Sequence, residues 1–274
     1  MEHGDQTIYH RRLIMEDNTL EQRIIRYWDN QPCNILHGTA KVGTLDFYQQ
    51  VSERRYRVES HMREFAGFHL WQGKRVLEIG CGIGTDAAEF ARYGADYTAI
   101  DISPKTVELA QQRFKVEGLE GQFICGDASD PAVYQDIGKF DLVYSCGVMH
   151  HFPRIDDMIQ NAHDVLVPQG EFRFLVYAKN SWKYSMIRKG LDQFEAQNGC
   201  PYAKAYTNDE VYALLGDRFH IERLRQAHCF MYNVPAYKQG RYELEPWFAF
   251  MPEDMREAIK EYLGWHLLVK ARKT

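Results

Sequence analysis

Three glycines at alternate positions carry the clearest chemical signal in the chain. Residues 75–86 read RVLEIGCGIGTD, so Gly80, Gly82 and Gly84 follow a short apolar run that is typical of a buried parallel strand. Glycine permits the backbone turn and the close ligand approach that such a position requires. The helix that opens at Thr85 points free N–H groups at the same place. The stretch therefore predicts a small-molecule site at the end of a buried strand.

Two adjacent histidines, His150 and His151, follow a later apolar run and are candidates for acid–base chemistry. An imidazole titrates near neutral pH, so it can serve as a base for a hydroxyl or a phenol. The alternative is structural: one ring binds a loop carbonyl and the other is solvated ahead of a helix. We predict that one of the two is catalytic, with His150 placed slightly ahead of His151.

The cysteines and histidines show no spacing that is typical of a metal site. None of the cysteines forms a CxxC pair, and no His/Cys group has zinc-type spacing. We therefore expect buried, reduced thiols and no metal. The cysteines are Cys33, Cys81, Cys125, Cys146, Cys200 and Cys229.

Strands and helices alternate around these residues and predict an α/β fold. Five apolar runs alternate with amphipathic helices up to Ala178, and two more strands are predicted near residues 219–224 and 265–270. This order indicates a doubly wound, mostly parallel seven-stranded sheet with helices on both faces. Residues 74–274 form the predicted Rossmann-like domain, with insertions at about 181–206 and 229–263.

The region before this domain, residues 1–73, is predicted to be an N-terminal arm and a helical cap. Residues 1–16 show no periodicity, which predicts a loose arm. A helix is expected from residue 17 or 18 to Asn30, and one longer helical pattern carries apolar residues from Phe47 to Phe65. Two helices cannot bury their apolar faces alone, so we expect them to cover the ligand end of the sheet.

Composition excludes some classes of partner. The chain has 274 residues, 45% of them hydrophobic, and a formal net charge of −5. A net negative charge disfavours nucleic acid as a partner, because it provides no basic surface for the phosphate backbone. No basic and apolar leader opens the sequence, and no apolar run approaches the roughly 18 residues of a membrane span. We expect a cytoplasmic protein without a membrane role, and the oligomeric state is left open.

The spacing of the glycines distinguishes two kinds of cofactor. A dinucleotide site favours G-x-G-x-x-G with a pyrophosphate at the helix N-terminus. Here Thr85 occupies the place of the third glycine. Glu78 stands two residues before the turn, where it would repel a pyrophosphate and suit a cationic ligand. A nicotinamide cofactor is therefore the second choice.

At four stretches in register, the chain resembles the class I S-adenosylmethionine-dependent methyltransferases of the small-molecule type. The resemblance implies that the glycine turn wraps the methionine half of S-adenosylmethionine and that Asp101 holds both ribose hydroxyls. It also implies that Ile102 packs on the adenine, and that Asp127 and Ala128 read the adenine edge. The implied cofactor residues are Glu78, Gly80, Cys81, Gly82, Gly84, Thr85, Asp101, Ile102, Asp127, Ala128 and Cys146.

The fourth stretch and one later turn complete the resemblance. The segment 146–153 is similar to the one by which small-molecule methyltransferases contact the cofactor and reach the substrate. Residues 166–171 match the turn into the fifth strand, although Gln169 stands where glycine is more usual.

The resemblance implies methyl transfer to a small-molecule or natural-product acceptor, with S-adenosylhomocysteine as the product. O-methylation is favoured over N- or C-methylation. One alternative is a methyltransferase that acts on a peptide or protein carboxylate. More remote alternatives are a nicotinamide-dependent oxidoreductase and a non-catalytic cofactor-binding protein.

Overall fold

A single twisted sheet organises the chain. The computed structural model describes residues 8–9, 19–191, 199–237, 239, 241 and 243–274. The described strands are β1 (Ile8–Tyr9), β2 (Arg75–Ile79), β3 (Asp96–Asp101), β4 (Gln122–Cys125), β5 (Phe140–Cys146), β6 (Leu166–Ala178), β7 (Ala205–Tyr206), β8 (Phe219–Ala227) and β9 (His266–Lys273). Their order is β1-β4-β3-β2-β5-β6-β9-β8, with β7 paired to β6, and among these described strands only β9 runs antiparallel to its neighbours.

The predicted fold class is therefore confirmed, with two short strands in addition to the seven expected. Ile8–Tyr9 lies in the stretch that we expected to be a loose arm, and it pairs in parallel with β4 at the edge of the sheet. Its neighbours 1–7 and 10–18 lie outside the described residues. The helices are α1 (Leu20–Asn30), α2 (Leu45–Val58), α3 (His61–Ala66), α4 (Thr85–Arg92), α5 (Pro104–Glu117), α6 (Ile155–Val165), α7 (Trp182–Arg188), α8 (Asn208–Leu215), α9 (Val234–Tyr237), α10 (Pro246–Ala249) and α11 (Glu253–Leu263).

Helices cover both faces of the sheet because successive strand side chains alternate in direction. Leu77 of β2 packs in one cluster with residues of α6 and α8. Val76 packs in the other cluster with residues of α3, α4 and α5. The same alternation separates Leu267 and Leu268 of β9. Burial on both faces explains why these strands read as continuous apolar runs in the sequence.

Two predicted boundaries are wrong. The long helical pattern is split into α2 and α3 because Glu59 leaves helical geometry, with φ −117° and ψ 54°. The two helices then pack on different clusters, Phe47 with Leu109 and Met62 with the sheet. Similarly, the turn expected at residues 166–171 already belongs to β6, which begins at Leu166 directly after α6 ends at Val165. The helical spacing of apolar residues in a sequence does not show that two parts of the pattern pack against different elements.

The first helix is anchored at the edge of the sheet where the parallel strands end. Asp29, in the last turn of α1, accepts hydrogen bonds from Ser103 Oγ at 2.6 Å and from the Lys105 N–H at 3.1 Å. Both donors belong to the β3–α5 corner. The end of α1 is thereby fixed beside the glycine turn. Among the described residues, no helix is long and apolar enough to cross a membrane.

Candidate active site

One cavity of about 890 Å³ lies at the carboxyl ends of the parallel strands. We call its two parts the strand-end half and the aromatic half. The strand-end half is lined by Glu78, Gly80, Cys81, Gly82, Thr85, Asp86, Asp101, Ile102, Asp127, Ala128 and Cys146. The aromatic half is lined by Trp28, Glu59, His151, Tyr177, Trp182, His228, Phe230, Tyr232, Tyr237, Trp265 and His266.

The glycine turn forms the floor of the strand-end half. Gly80, Gly82 and Gly84 have φ values of +79°, +54° and +78°, a region that favours glycine. A Cβ on Gly82 would meet no atom within 4 Å, so this backbone is open to a ligand. A Cβ on Gly80 would lie 2.8 Å from Val148 Cβ and closer to its methyl groups. Gly84 does not line the cavity. It packs against α5, where a Cβ added to Gly84 would lie 3.4 Å from the Cβ of Ala110.

Asp101 ends β3 with its carboxylate held by two backbone donors. The Gly82 N–H donates to Oδ2 at 3.1 Å, and the Ser103 N–H donates to Oδ1 at 3.0 Å. Burial raises the pKa of Asp101 to about 6, although these donors act in the opposite direction. Each carboxylate oxygen can accept a further hydrogen bond. Asp101 can therefore hold two hydroxyl groups of a ligand beside the turn.

A second acidic centre lies below the turn. Glu78 is buried and accepts a hydrogen bond from the Tyr97 hydroxyl at 2.5 Å. Burial, and then the nearby Asp86, raise its pKa well above the usual range. Asp86 itself accepts hydrogen bonds from the hydroxyls of Tyr56 and Tyr144, each at 2.8 Å. Arg55 Nη2 lies 3.3 Å from Asp86 and pairs with that carboxylate, so Glu78 is the carboxyl group that a nearby cationic ligand would help to ionise. Asp86 was not singled out from the sequence. The only feature that pointed to it was its acidic side chain in the first turn of α4.

The ends of β4 and β5 complete this half. Asp127 Oδ1 accepts hydrogen bonds from the backbone N–H of Ser129 at 2.8 Å and from its hydroxyl at 2.7 Å. Asp127 thus holds its own turn. Asp127 and Ala128 both line the cavity. Cys146 Sγ lies 3.1 Å from Arg55 Nη2, and burial raises the pKa of this thiol to about 12. Cys146 is consequently a neutral wall residue.

Thr85 and Cys81 fill smaller parts of the same wall. Arg113 Nη1 donates to Thr85 Oγ1 at 3.2 Å and links the start of α4 to α5. Burial raises the pKa of the Cys81 thiol well above its usual range, so it is also neutral.

His150, the first choice for a catalytic base, does not line the cavity. The ring is fully buried, with its centroid 3.8 Å from that of Tyr177. Burial, and then the neighbouring His151, lower its pKa well below the usual range. The short 3₁₀ helix Met149–His151 turns this side chain into the protein. The prediction for His150 is therefore corrected, because an acceptor in the cavity cannot reach the ring.

His151, the second choice, lines the aromatic half. Its Nδ1 lies 3.0 Å from the carbonyl oxygen of Tyr202, which can only accept, so Nδ1 carries the proton. Its Nε2 is then an acceptor, and it has no hydrogen-bond partner among the described residues. The edge of Trp28 packs on the ring, at a centroid distance of 5.0 Å. Burial lowers the pKa of His151 to about 4, so the ring is neutral near pH 7.

Three further histidines meet at the same edge of the sheet. His61 Nε2 lies 3.1 Å from His266 Nδ1, and the rings of His228 and His266 stack with centroids 4.3 Å apart. Glu59 joins His228 and His266, because their ligand atoms lie within 4.8 Å of one another. Burial lowers the pKa of His61 to about 3 and the pKa values of the other two well below the usual range. Sequence spacing could not reveal this group, since its members lie far apart in the chain.

Fold and cavity together define a class of protein. A doubly wound sheet with a glycine turn after its central strand β2, and with carboxylates at the ends of β2 and β3, binds a nucleoside-type ligand at the strand ends. The open turn at Gly82 and the two carboxyl groups beside it fit a cofactor that has ribose hydroxyls and a cationic group.

Comparisons with known proteins match the middle of the chain. Residues 76–170 match a family described as "Methyltransferase domain". A probable phthiotriol/phenolphthiotriol dimycocerosates methyltransferase 2 of Mycobacterium ulcerans is 33% identical over 127 residues, covering 44% of this chain and 48% of that protein. A fatty-acid O-methyltransferase of Mycolicibacterium smegmatis is 37% identical over 105 residues, covering 38% of this chain and 37% of that protein. The matches thus span less than half the length of either relative.

Solved structures agree on the fold. The magnesium protoporphyrin IX methyltransferase of Synechocystis PCC 6803, with bound S-adenosylmethionine, superposes with a TM-score of 0.59 at 17% identity. This match covers 95% of this chain and all (100%) of that one. Residues 76–170 thus match a methyltransferase domain, and the chain shares its fold with a structure that holds S-adenosylmethionine.

Proposed function

We propose that the protein transfers a methyl group from S-adenosylmethionine to a small, partly apolar acceptor, preferentially at oxygen. The observation that carries this proposal is the continuity of the cavity from the strand-end half to the aromatic half. Its volume of about 890 Å³ lies toward the upper end of the roughly 300–1,000 Å³ that small-molecule sites span. Such a volume suits a cofactor and a small acceptor side by side.

In this proposal the strand-end half holds the cofactor. Asp101 accepts hydrogen bonds from the ribose hydroxyls, and Ile102 packs on the adenine. Asp127 and Ala128 contact the adenine edge, and the turn from Gly80 to Gly84 receives the methionine part. When bound, S-adenosylmethionine supplies an electrophilic methyl group. Glu78 provides a buried carboxyl group below the turn, and Cys81, Thr85 and Cys146 complete the wall.

His151 is the proposed catalytic residue of the aromatic half. The Tyr202 carbonyl fixes the Nδ1–H tautomer, which leaves Nε2, a buried nitrogen without a hydrogen-bond partner among the described residues, as the acceptor. A hydroxyl or phenol in the cavity can donate its hydrogen to Nε2, which raises electron density on the acceptor oxygen. Because methyl transfer is an in-line displacement, alignment of that oxygen is the main task of the protein.

The aromatic half favours a small acceptor with an apolar body. Tyr177 and Trp265 stack with centroids 4.2 Å apart, and Phe230, Tyr232 and Tyr237 continue the wall. O-methylation also agrees with the printed name of the fatty-acid relative. A peptide or protein carboxylate is the second candidate acceptor, with Lys183 on the cavity wall as the group that would attract it.

We also propose that residues 1–73 form an N-terminal arm and a helical cap on a domain of residues 74–274, and that the protein works in the cytoplasm. Trp28 of α1 lines the cavity together with residues at the strand ends, which supports the cap. Residues 192–198, within the first predicted insertion, lie outside the described residues.

Binding and turnover measurements test the proposed function separately. Isothermal titration calorimetry should show binding of S-adenosylhomocysteine and none of NADH. Mass spectrometry should then detect a product 14 Da heavier than one member of a panel of phenols, aliphatic alcohols, carboxylic acids and peptides. Binding of NADH alone would favour an oxidoreductase. Binding of S-adenosylhomocysteine with no methylated product across the panel would favour a non-catalytic cofactor-binding protein.

A further inference from the structure

We propose that Glu59, His228 and His266 bind a divalent first-row transition metal ion in the wall of the aromatic half. One ligand atom from each lies within 4.8 Å of the others. Metal–ligand bonds of about 2.1 Å place two ligand atoms at most roughly 4.2 Å apart. Metal binding therefore requires a small contraction of the group and rotation of one of the stacked His228 and His266 rings, so that both ring nitrogens direct a lone pair at the ion. Two imidazoles and one carboxylate form a donor set that suits Zn²⁺, Fe²⁺ and Co²⁺ better than Mg²⁺.

The fold brings the three ligands to one point. Ala227 pairs with His266 across β8 and β9, so His228 and His266 sit side by side at the strand-end edge. Glu59 comes from the break between α2 and α3, which faces the same edge. All three line the cavity, and the metal ion would retain open positions toward it. A site with three protein ligands and open positions is typical of a reactive metal centre rather than a structural one.

His228 carries two features that packing does not explain. Its φ is +64°, a conformation that is uncommon for residues with a side chain. Its Nδ1 is buried and has no hydrogen-bond partner among the described residues. The Trp265 N–H donates to the His228 carbonyl at 2.9 Å and holds the backbone in this conformation. The chain thus maintains a strained position that presents an unpaired nitrogen to its neighbours.

Two outer residues orient the ligands, as the partners of metal-binding side chains generally do. His61 Nε2 lies 3.1 Å from His266 Nδ1, and a proton shared there leaves Nε2 of His266 as the coordinating atom. Arg55 forms an ion pair with Glu59 and also lies 3.3 Å from Asp86 and 3.1 Å from Cys146. The cluster is thereby connected to the end of β5. His61 and Arg55 are positioning residues.

This position suggests what the metal ion does, and that role rests on the proposed function. An ion in the aromatic half can bind an oxygen anion of the acceptor and stabilise its deprotonated form. The acceptor would then belong to the class of phenols, enols or carboxylates that coordinate metal ions through oxygen. Metal binding itself does not depend on methyl transfer.

Metal titration of tag-free full-length protein, first treated with a chelator, tests the proposal. We expect one equivalent of Co²⁺ to bind with a visible absorption spectrum, Zn²⁺ to displace it, and excess Mg²⁺ to leave it unchanged. His228→Ala, His266→Ala and Glu59→Gln should each weaken Co²⁺ binding more than 100-fold. His61→Ala should weaken it roughly 10- to 100-fold. His69→Ala, which removes an exposed histidine outside the cavity, should change nothing.

Folding and function are controlled separately. Each variant should retain S-adenosylhomocysteine binding and its circular dichroism spectrum, and Glu59→Gln preserves side-chain size if a histidine variant unfolds. Less than 0.2 equivalents of bound Co²⁺, or full binding by Glu59→Gln and both histidine variants, would overturn the site. Stoichiometric binding without methyl transfer would retain the metal site and reject the proposed function. Methyl transfer by a protein that binds no metal would reject the metal site and retain the proposed function.

Discussion

The two halves of the cavity differ in how the chain builds them. The strand-end half comes from short stretches that follow consecutive strands, such as 78–86 and 101–102. The aromatic half combines residues that lie up to about 240 positions apart, from Trp28 to His266. The first kind of site depends on local turns, whereas the second depends on how remote elements pack. The strand-end half is therefore visible in a single sequence, and the aromatic half becomes visible only in the fold.

The largest expected effect is in the strand-end half. Gly80→Ala combines a φ of +79° with overlap against Val148, a β-branched side chain that cannot move aside without its backbone. The free energy of unfolding should fall by about 2–4 kcal/mol, and displacement of the turn should weaken S-adenosylhomocysteine binding roughly 100-fold. Calorimetry and thermal denaturation measure the two effects.

Gly118→Ala is the matched control for this change. Gly118 has a φ of +65°, and a Cβ there would meet no atom within 4 Å. The loss of stability in this variant, about 1 kcal/mol, therefore measures the backbone strain alone. Adding Val148→Ala to Gly80→Ala should recover part of the lost affinity. Equal behaviour of Gly80→Ala and Gly118→Ala would show that contact with Val148 does not shape the turn.

A change in the aromatic half should affect turnover and spare the cofactor. His151→Ala removes the proposed base and should lower kcat about 100-fold, the lower end for acid–base catalysis because a pKa of about 4 makes a weak base. S-adenosylhomocysteine affinity should stay within twofold. Steady-state kinetics and calorimetry check this separation, with the exposed His220→Ala as the control.

The neighbouring histidine sharpens the same test. His150→Ala leaves a cavity beside Tyr177 and should lower the free energy of unfolding by about 2–4 kcal/mol. Its kcat should change less than threefold, because the ring does not reach the cavity. If kcat fell more in His150→Ala than in His151→Ala, the assignment of the base would have to be exchanged.

Asp101→Asn should produce a smaller loss in the strand-end half. The substitution keeps the shape of the side chain and removes its charge, so hydrogen bonds worth about 1.5–3 kcal/mol weaken. We expect S-adenosylhomocysteine affinity to fall roughly 10- to 100-fold. Asp96→Asn, at the exposed start of the same strand, is the control. An unchanged affinity in the Asp101 variant would remove the ribose role from this residue.

The sequence predicted the features that depend on adjacent residues and missed those that depend on the packing of remote elements. The glycine turn and Asp101 were predicted because a turn and a strand end are written in adjacent residues. The ranking of His150 ahead of His151 was wrong because the two side chains point in different directions from a 3₁₀ turn. The sequence does not show which of the two faces the cavity. The break at Glu59 was missed because the apolar stripe continues across it. The histidine group was missed because only the pairing of β8 with β9 and the start of α3 bring it together.

The smallest expected effect is a pH dependence that again separates the two halves. Burial raises the pKa of Asp101 to about 6, so the unliganded carboxyl group gains a proton as the pH falls through 6. The ionised form accepts hydrogen bonds better, hence S-adenosylhomocysteine affinity should fall roughly fourfold between pH 7 and pH 5.5. Asp101→Asn carries no proton to exchange, and its weaker affinity should stay flat over this range. Calorimetry at several pH values in buffers of equal ionic strength compares the two proteins. The same slope in both would assign the titration to another group, and His151, with a pKa of about 4, could not supply it.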